Sequence, residues 1–350
     1  MLNKLEVNML KKLFLFALLV LVSTIPLMAG GQAEENSDEP IVFRMAHEDI
    51  ADTVPDNYCK EFGRRLEERT GGRVKAEVYP VGQLGVGVEL VEQLLTGGID
   101  MVVMNPGNTG TLVPEAQLFL LHFLLPANME KSFDFMENSV ALNKNLNELY
   151  LDKNMYVIDW WAQGMMQWTA NKKILTPADF EGQKIRTMQA PLILENYKAY
   201  GANPTPIPYT EVYSALQLNM ADGHENPIGP IEEMKFYEVQ DYIIKSNHFP
   251  YMLSTILNND IYQSLPDDIQ VAIKEVSQEM HSVAYDLQQA NNKRAEDKIK
   301  DDIEIVELTG DQLAAFREAA LPVRDYYINS VGPKGKEIME LLVEELQDYR

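Results

Sequence analysis

The stretch DFEGQKIRTMQAPLILENYKAYGANPTPIPYTEVYSALQLNMADGHEN, residues 179–226, decides how the chain is read. Just before it, Thr176 offers a capping oxygen, Pro177 suits a first helical turn and Asp179 adds an acid there; Gly182 stops the short helix. KIRT (184–187) then predicts a strand, followed by a helix, a proline-rich turn, a second helix and a polar elbow ending at Asn226. Such βα alternation predicts a domain of its own. Arg186 shares a strand face with Lys184. On pattern alone the two suit a solvated edge; in a cleft, the Arg186 guanidinium is a fork that fits a carboxylate. Asn226 precedes Pro227, which holds it extended, and it suits a helix cap at Pro227 as well as an anion contact.

A second βα run lies upstream. IVFRMA (41–46), a helix over 56–69 ended by Gly71-Gly72, RVKAEVY (73–79), a helix over 88–98 and IDMVVM (99–104) read as β–α–β–α–β. This order predicts a mostly parallel sheet, whose ligands bind beyond the carboxyl ends of the strands. His47, Glu48 and Asn105 fall at such ends. Residues 129–151 read as one polar-faced helix, 155–161 as an apolar strand, and 163–174 as a strand crossing to the second domain.

After Pro266, apolar residues at 269, 273, 276, 280, 283, 287 and 290 keep one stripe for three heptads. A helix over 266–300 would be roughly 50 Å long, enough to brace two domains. A coiled-coil partner helix has the same pattern. IEIVEL (303–308) is a late strand, with helices to the end.

Composition bounds the function. The 350 residues hold 30 Lys plus Arg against 53 Asp plus Glu, a net charge of -23, which disfavours nucleic acid and anionic lipid. The lone Cys59 forms no internal disulfide, and the five histidines show no metal-ligand spacing. No nucleophile elbow, phosphate loop or dinucleotide fingerprint is present, and His224-Glu225 lacks a neighbouring nucleophile, so no catalytic residue, metal or cofactor is expected. Trp160, Trp161, Trp168 and Tyr213 fit a core better than a ligand platform. Lys11-Lys12, the apolar run 13–28 and the small residues after it predict a signal peptide over 1–29, followed by a polar linker over 30–40. Export to the periplasm is the expectation.

Three motifs, RTGGRVKAEVYPVGQLG (69–85), ADFEGQKIRTM (178–188) and YGANPTPIPYTEVYSALQLNMADGHENP (200–227), carry a resemblance. Together with KFYEVQDYIIKSNH (235–248), they make the chain similar to the DctP-like solute-binding proteins of TRAP transporters, over nearly all of 41–345. The resemblance implies an α/β, two-lobed periplasmic-binding-protein-like fold of type II with a hinge and a long helix spanning both lobes. Lobe 1 would take 41–163 and 252–291, lobe 2 164–251 and 292–350, with hinges near 161–165 and 249–252. It implies an extracytoplasmic receptor, a monomer or weak dimer, that hands a small organic acid to the membrane subunits of a TRAP permease. A binding protein of an ABC importer or a periplasmic sensor shares this architecture.

By resemblance Arg186 is the carboxylate anchor, with Asn226, Tyr209 and Gln189 as further contacts, His47 and Asn105 from the first lobe, and Glu89 from the helix after QLG. Relatives often carry a second arginine where this chain has Met166, so one cation is expected rather than two. A smaller or less polar acid is favoured over sialic acid, and uronic or aldonic acids stay in view.

Overall fold

The computed structural model describes residues 39–349; the expected signal segment lies outside them. Two mixed sheets organise the chain. The first has the order β2-β1-β3-β10-β4, from Val74–Tyr79, Ile41–His47, Met101–Met104, Pro250–Asn258 and Met155–Met165. The second has the order β11-β9-β5-β8-β6-β7, from Glu304–Glu307, Tyr242–Lys245, Gln167–Ala170, Gly223–Asn226, Lys184–Thr187 and Asn203–Pro206.

The parallel expectation holds for β1, β2 and β3 and fails for the sheet as a whole, because β10 runs against both its neighbours. In the second sheet β5 runs against both of its own. One geometry explains both reversals. β4 leaves the first sheet at its carboxyl end, passes through Met166, and enters the second sheet as β5, with Gln167 opposite Asn226 at the carboxyl end of β8. β9 returns through 246–249 and enters as β10, with Pro250 opposite Met165. The carboxyl edges of the two sheets therefore face each other, and a chain stepping straight across must run backwards in the sheet it enters. The crossings are Met166 and 246–249; most of the two expected hinge segments lies within paired β4 and β10.

The helix Val54–Arg69 buries Tyr58, Phe62 and Leu66, spaced by one turn, against the first sheet. Arg65 and Arg69 on its outer side pair with Glu279 and Glu275 of the long helix Asp267–Ile299. That helix spans 33 residues as expected, but its stripe turns. Beyond Met280 the buried residues are His281, Ala284, Gln288, Ala295 and Ile299, while Ala290 is exposed. Steps of four follow a helix ridge and drift around the axis, which suits a helix that leaves one sheet and meets the other.

Three expectations need correction. The single helix over 129–151 is broken. Met129–Asn138 ends at Ser139, and wider-wound turns over Ala141–Leu146 lead into Asn147–Leu151. Glu345 causes the break: its carboxylate accepts the Ser139 hydroxyl at 2.5 Å and the Val140 and Ala141 N–H groups at 2.9 and 3.2 Å. The proline-rich turn contains the edge strand β7, where Pro204 and Pro206 are tolerated because edge strands lack a second partner. The polar elbow is a fully buried inner strand, β8. The final helix Gly310–Glu345 kinks at Gly332, left-handed at φ 73°, just before Pro333. It packs on Pro191–Ala199 and also reaches Ala141–Leu146, so the C-terminal segment touches both halves.

Candidate functional site

A cavity of about 300 Å³ opens between the facing carboxyl edges. The first sheet contributes acids: Glu48 and Asp49 follow β1, and Glu89 stands on the helix Val88–Leu95. The second contributes Arg186, Gln189, Tyr209, Glu225 and Asn226, with Met166 at the crossing. Among the described lining residues, Arg186 is the one cation.

Arg186 and Lys184 part company. Lys184 is exposed and donates to Asn219 O at 2.8 Å, whereas Arg186 is 5% exposed. Both stand on β6, and Arg186 is enclosed because it reaches the cavity beside Ile207, Tyr209, Glu225 and Tyr251. The Arg186 Nε–H donates to Ile207 O at 2.9 Å, and among the described residues no carboxylate reaches ion-pair distance of it. Burial lowers its pKa, opposed by Tyr251, Glu225 and Tyr209. A buried guanidinium with one backbone partner retains donors for an anion.

Asn226 is the last residue of β8 and caps no helix; Ile228–Glu233 starts without a side-chain cap. Its buried Nδ2 has no hydrogen-bond partner among the described residues. That donor, Arg186, Tyr209, Gln189, Glu89 and Met166 all line one cavity. His47 and Asn105 do not line it. His47 sits behind, its Nε2 3.1 Å from Asp56 and its Nδ1 accepting the Asp49 N–H at 3.3 Å. Asn105 caps the turn Pro106–Thr109 through Gly107 N–H at 2.7 Å and donates to Met252 O at 2.9 Å. Their polar atoms are committed to the protein, and they hold the carboxylates that do face the cavity. The Asn105 N–H donates to Glu48 at 2.8 Å.

Sequence reasoning placed Glu48 at a strand end and Glu89 on the next helix, but it missed Asp49 and the acidic wall they form together. Glu48 and Asp49 directly follow the carboxyl end of β1, so the strand-end rule pointed at them. Burial pushes Glu48 up to about 8, with Asp49 adding to it, and pushes Asp49 up to about 6. The Gln163 amide donates to Asp49, and the Asn108 amide donates to Glu48 at 2.5 Å. The site is thus bipolar, with a guanidinium on one side and protonatable acids on the other.

Fold and site together define a two-sheet binding protein with its cleft between facing strand ends. The family of bacterial extracellular solute-binding proteins, family 7 (DctP), matches residues 45–330, and the chain belongs to it. It is 32% identical to the ectoine-binding periplasmic protein TeaA of Halomonas elongata, over 95% of this chain and 97% of that one. It is 31% identical to the ectoine/5-hydroxyectoine-binding periplasmic protein UehA of Ruegeria pomeroyi, over 93% and 95%. The solved structure of the ectoine-binding protein from the TeaABC TRAP-transporter of H. elongata matches with a TM-score of 0.85 at 32% identity, covering 88% of this chain and 99% of that chain.

Proposed function

We propose that this chain is the periplasmic receptor of a TRAP transporter and that its cargo is a small organic acid carrying a cationic nitrogen centre as well as its carboxylate. The observation that carries the reading is the bipolar cleft: Arg186 on the second sheet, Glu48 and Asp49 on the first. Arg186, the Asn226 amide and Gln189 take the carboxylate; Glu48 and Asp49 take the cation; Tyr209 walls the cavity. The ectoine ligands of the two relatives fit this description.

Cargo stabilises a closed form in which 41–163 with 252–291 and 164–251 with 292–350 approach, turning at Met166 and 246–249, and the closed receptor delivers it unchanged to the permease. Glu345, from the second group, is fastened to Ser139 in the first and limits the opening. A charge-assisted bond contributes about 1.5–3 kcal/mol, while micromolar affinity needs about 8 kcal/mol, so Arg186 shares the work with the other walls.

A thermal-shift screen of ectoine, 5-hydroxyectoine, uronates, aldonates and dicarboxylates tests the reading. Stabilisation by the zwitterions supports it. Stabilisation by the uronates or aldonates alone moves the acids to the role of hydroxyl acceptors, and no response to any acid refutes it.

The wall makes binding pH-dependent. Burial raises Glu48 and Asp49 in the empty cleft, and a bound cation favours their ionised form, so binding releases protons. Affinity for a zwitterion is therefore expected to rise between about pH 5 and 8 and then level. Calorimetry in buffers of different ionisation enthalpy reads the released protons. A flat profile with no release would remove the acids from cation binding.

A further inference from the structure

The five histidines are scattered in sequence, and none shows a local ligand spacing. The fold nevertheless gathers two of them around one acid behind the cleft floor. His122 lies in the connection before Met129–Asn138, Glu225 in β8 and His248 in the crossing between β9 and β10. All three are buried: His122 is 2% exposed, Glu225 2% and His248 0%.

We propose that His122 Nε2, His248 Nε2 and the Glu225 carboxylate form a binding site for a divalent transition metal of the zinc type. One ligand atom from each residue lies within 4.8 Å of the others. His248 Nε2 stands 2.9 Å from Glu225 Oε2 and His122 Nε2 stands 3.8 Å from it. Ligands of a tetrahedral zinc with bonds of about 2.0–2.1 Å are about 3.3 Å apart, between those two values.

The outer shell is arranged for the same purpose. His122 Nδ1 meets the Tyr200 hydroxyl at 2.9 Å, and His248 Nδ1 meets the Ser246 hydroxyl at 2.6 Å. A hydroxyl can accept the Nδ1–H of each ring, which leaves both Nε2 lone pairs directed at the acid. The Tyr197 hydroxyl, 2.5 Å from Glu225 Oε2, orients the carboxylate. Phe249 and Trp168 stack on the two imidazoles and keep the pocket dry.

Hydrogen bonding within the protein does not complete this cluster. His122 Nε2 and Glu225 Oε1 are buried without a hydrogen-bond partner among the described residues, and leaving a buried polar atom unpaired costs about 1–3 kcal/mol. A metal ion satisfies His122 directly and draws in the carboxylate. Entry is from the cleft, which Glu225 lines. The nearby Arg186 guanidinium interacts with the same carboxylate, so metal and arginine share one negative charge.

The test is metal binding by the whole chain, stripped with a chelator and dialysed against Zn²⁺ or Co²⁺. One zinc per chain is expected, and cobalt should show the visible absorption of a four-coordinate site. His122→Gln is expected to weaken binding by at least about 100-fold and to abolish that spectrum; Tyr200→Phe, which removes only an orienting hydroxyl, should cost about 10-fold. Circular dichroism checks that each variant is folded, and Tyr200→Phe answers the question if His122→Gln is not. No uptake by the unaltered chain overturns the site. So does uptake that is unchanged in both variants, since the acidic surface would then hold the metal. Neither outcome depends on which acid the cleft carries.

Discussion

Replacing Arg186 with alanine is expected to lower cargo affinity by roughly 2–5 kcal/mol, about 30-fold or more, without destabilising the empty protein. The two halves of this result have different causes. Arg186 is buried and desolvated, and among the described residues its hydrogen-bond partner is Ile207 O. A carboxylate that enters the cleft meets a cation already stripped of water, so losing that cation leaves the anion buried and unpaired. In the empty protein the same cation lacks an ion-pair partner among the described residues, and removing it removes a desolvation cost. Calorimetric titration with whichever acid stabilises the protein, run beside thermal unfolding without ligand, separates the two. Unchanged affinity in Arg186→Ala would sink the anchor assignment. A large loss of stability without ligand would instead make Arg186 a structural residue. Arg186→Lys should recover part of the affinity, since a point charge remains but the fork is lost.

The second large effect is on stability. Trp161→Ala should cost about 3–5 kcal/mol, the usual range for truncating a fully buried tryptophan. Trp161 is 0% exposed in β4, stacks on Tyr58 at 4.7 Å between ring centres, and donates from Nε1 to Thr255 Oγ1 at 3.2 Å. Thr255 bonds the Tyr58 hydroxyl at 3.1 Å, and Asp159 meets both Tyr58 and His281. The indole therefore ties β4 and β10 to the helix Val54–Arg69 and, through Asp159, to the long helix. Removing it opens a cavity and leaves a buried hydroxyl short of a partner. Urea unfolding of Trp161→Ala and Trp161→Phe gives the measurement, with Trp161→Phe expected to lose less. A loss below about 1 kcal/mol for alanine would mean that the region collapses to fill the space.

The reach of the sequence is clearest at individual residues. The elements with strong local signals were legible: β1 to β3 with the helices between them, the capped turn at Thr176, β6, and the long helix from Asp267. Periodicity, caps and glycine stops are properties of neighbours along the chain, so a sequence displays them directly. The family motifs added the two-lobed architecture and six of the residues now found lining the cleft: Arg186, Asn226, Tyr209, Gln189, Glu89 and Met166.

Tertiary structure decided the rest. The break at Ser139 depends on Glu345, which is 206 residues away. The stripe of the long helix turns because its buried residues up to Ala284 pack in the main core, whereas Ala295 and Ile299 pack with Ile228, Ile231 and Phe236 in a second one. Whether a polar residue at a strand end faces the cleft, as Glu48 does, or the protein behind it, as His47 does, depends on which neighbours take its hydrogen bonds. The same holds for charge. Lys184 and Arg186 are two residues apart on one strand, yet one is solvated and the other sealed, because enclosure comes from what packs over the strand. The meeting of His122, Glu225 and His248 is a product of the fold alone. A sequence fixes the period and chemistry of each segment; which distant groups share a dry space is set when the two sheets turn their carboxyl edges toward each other.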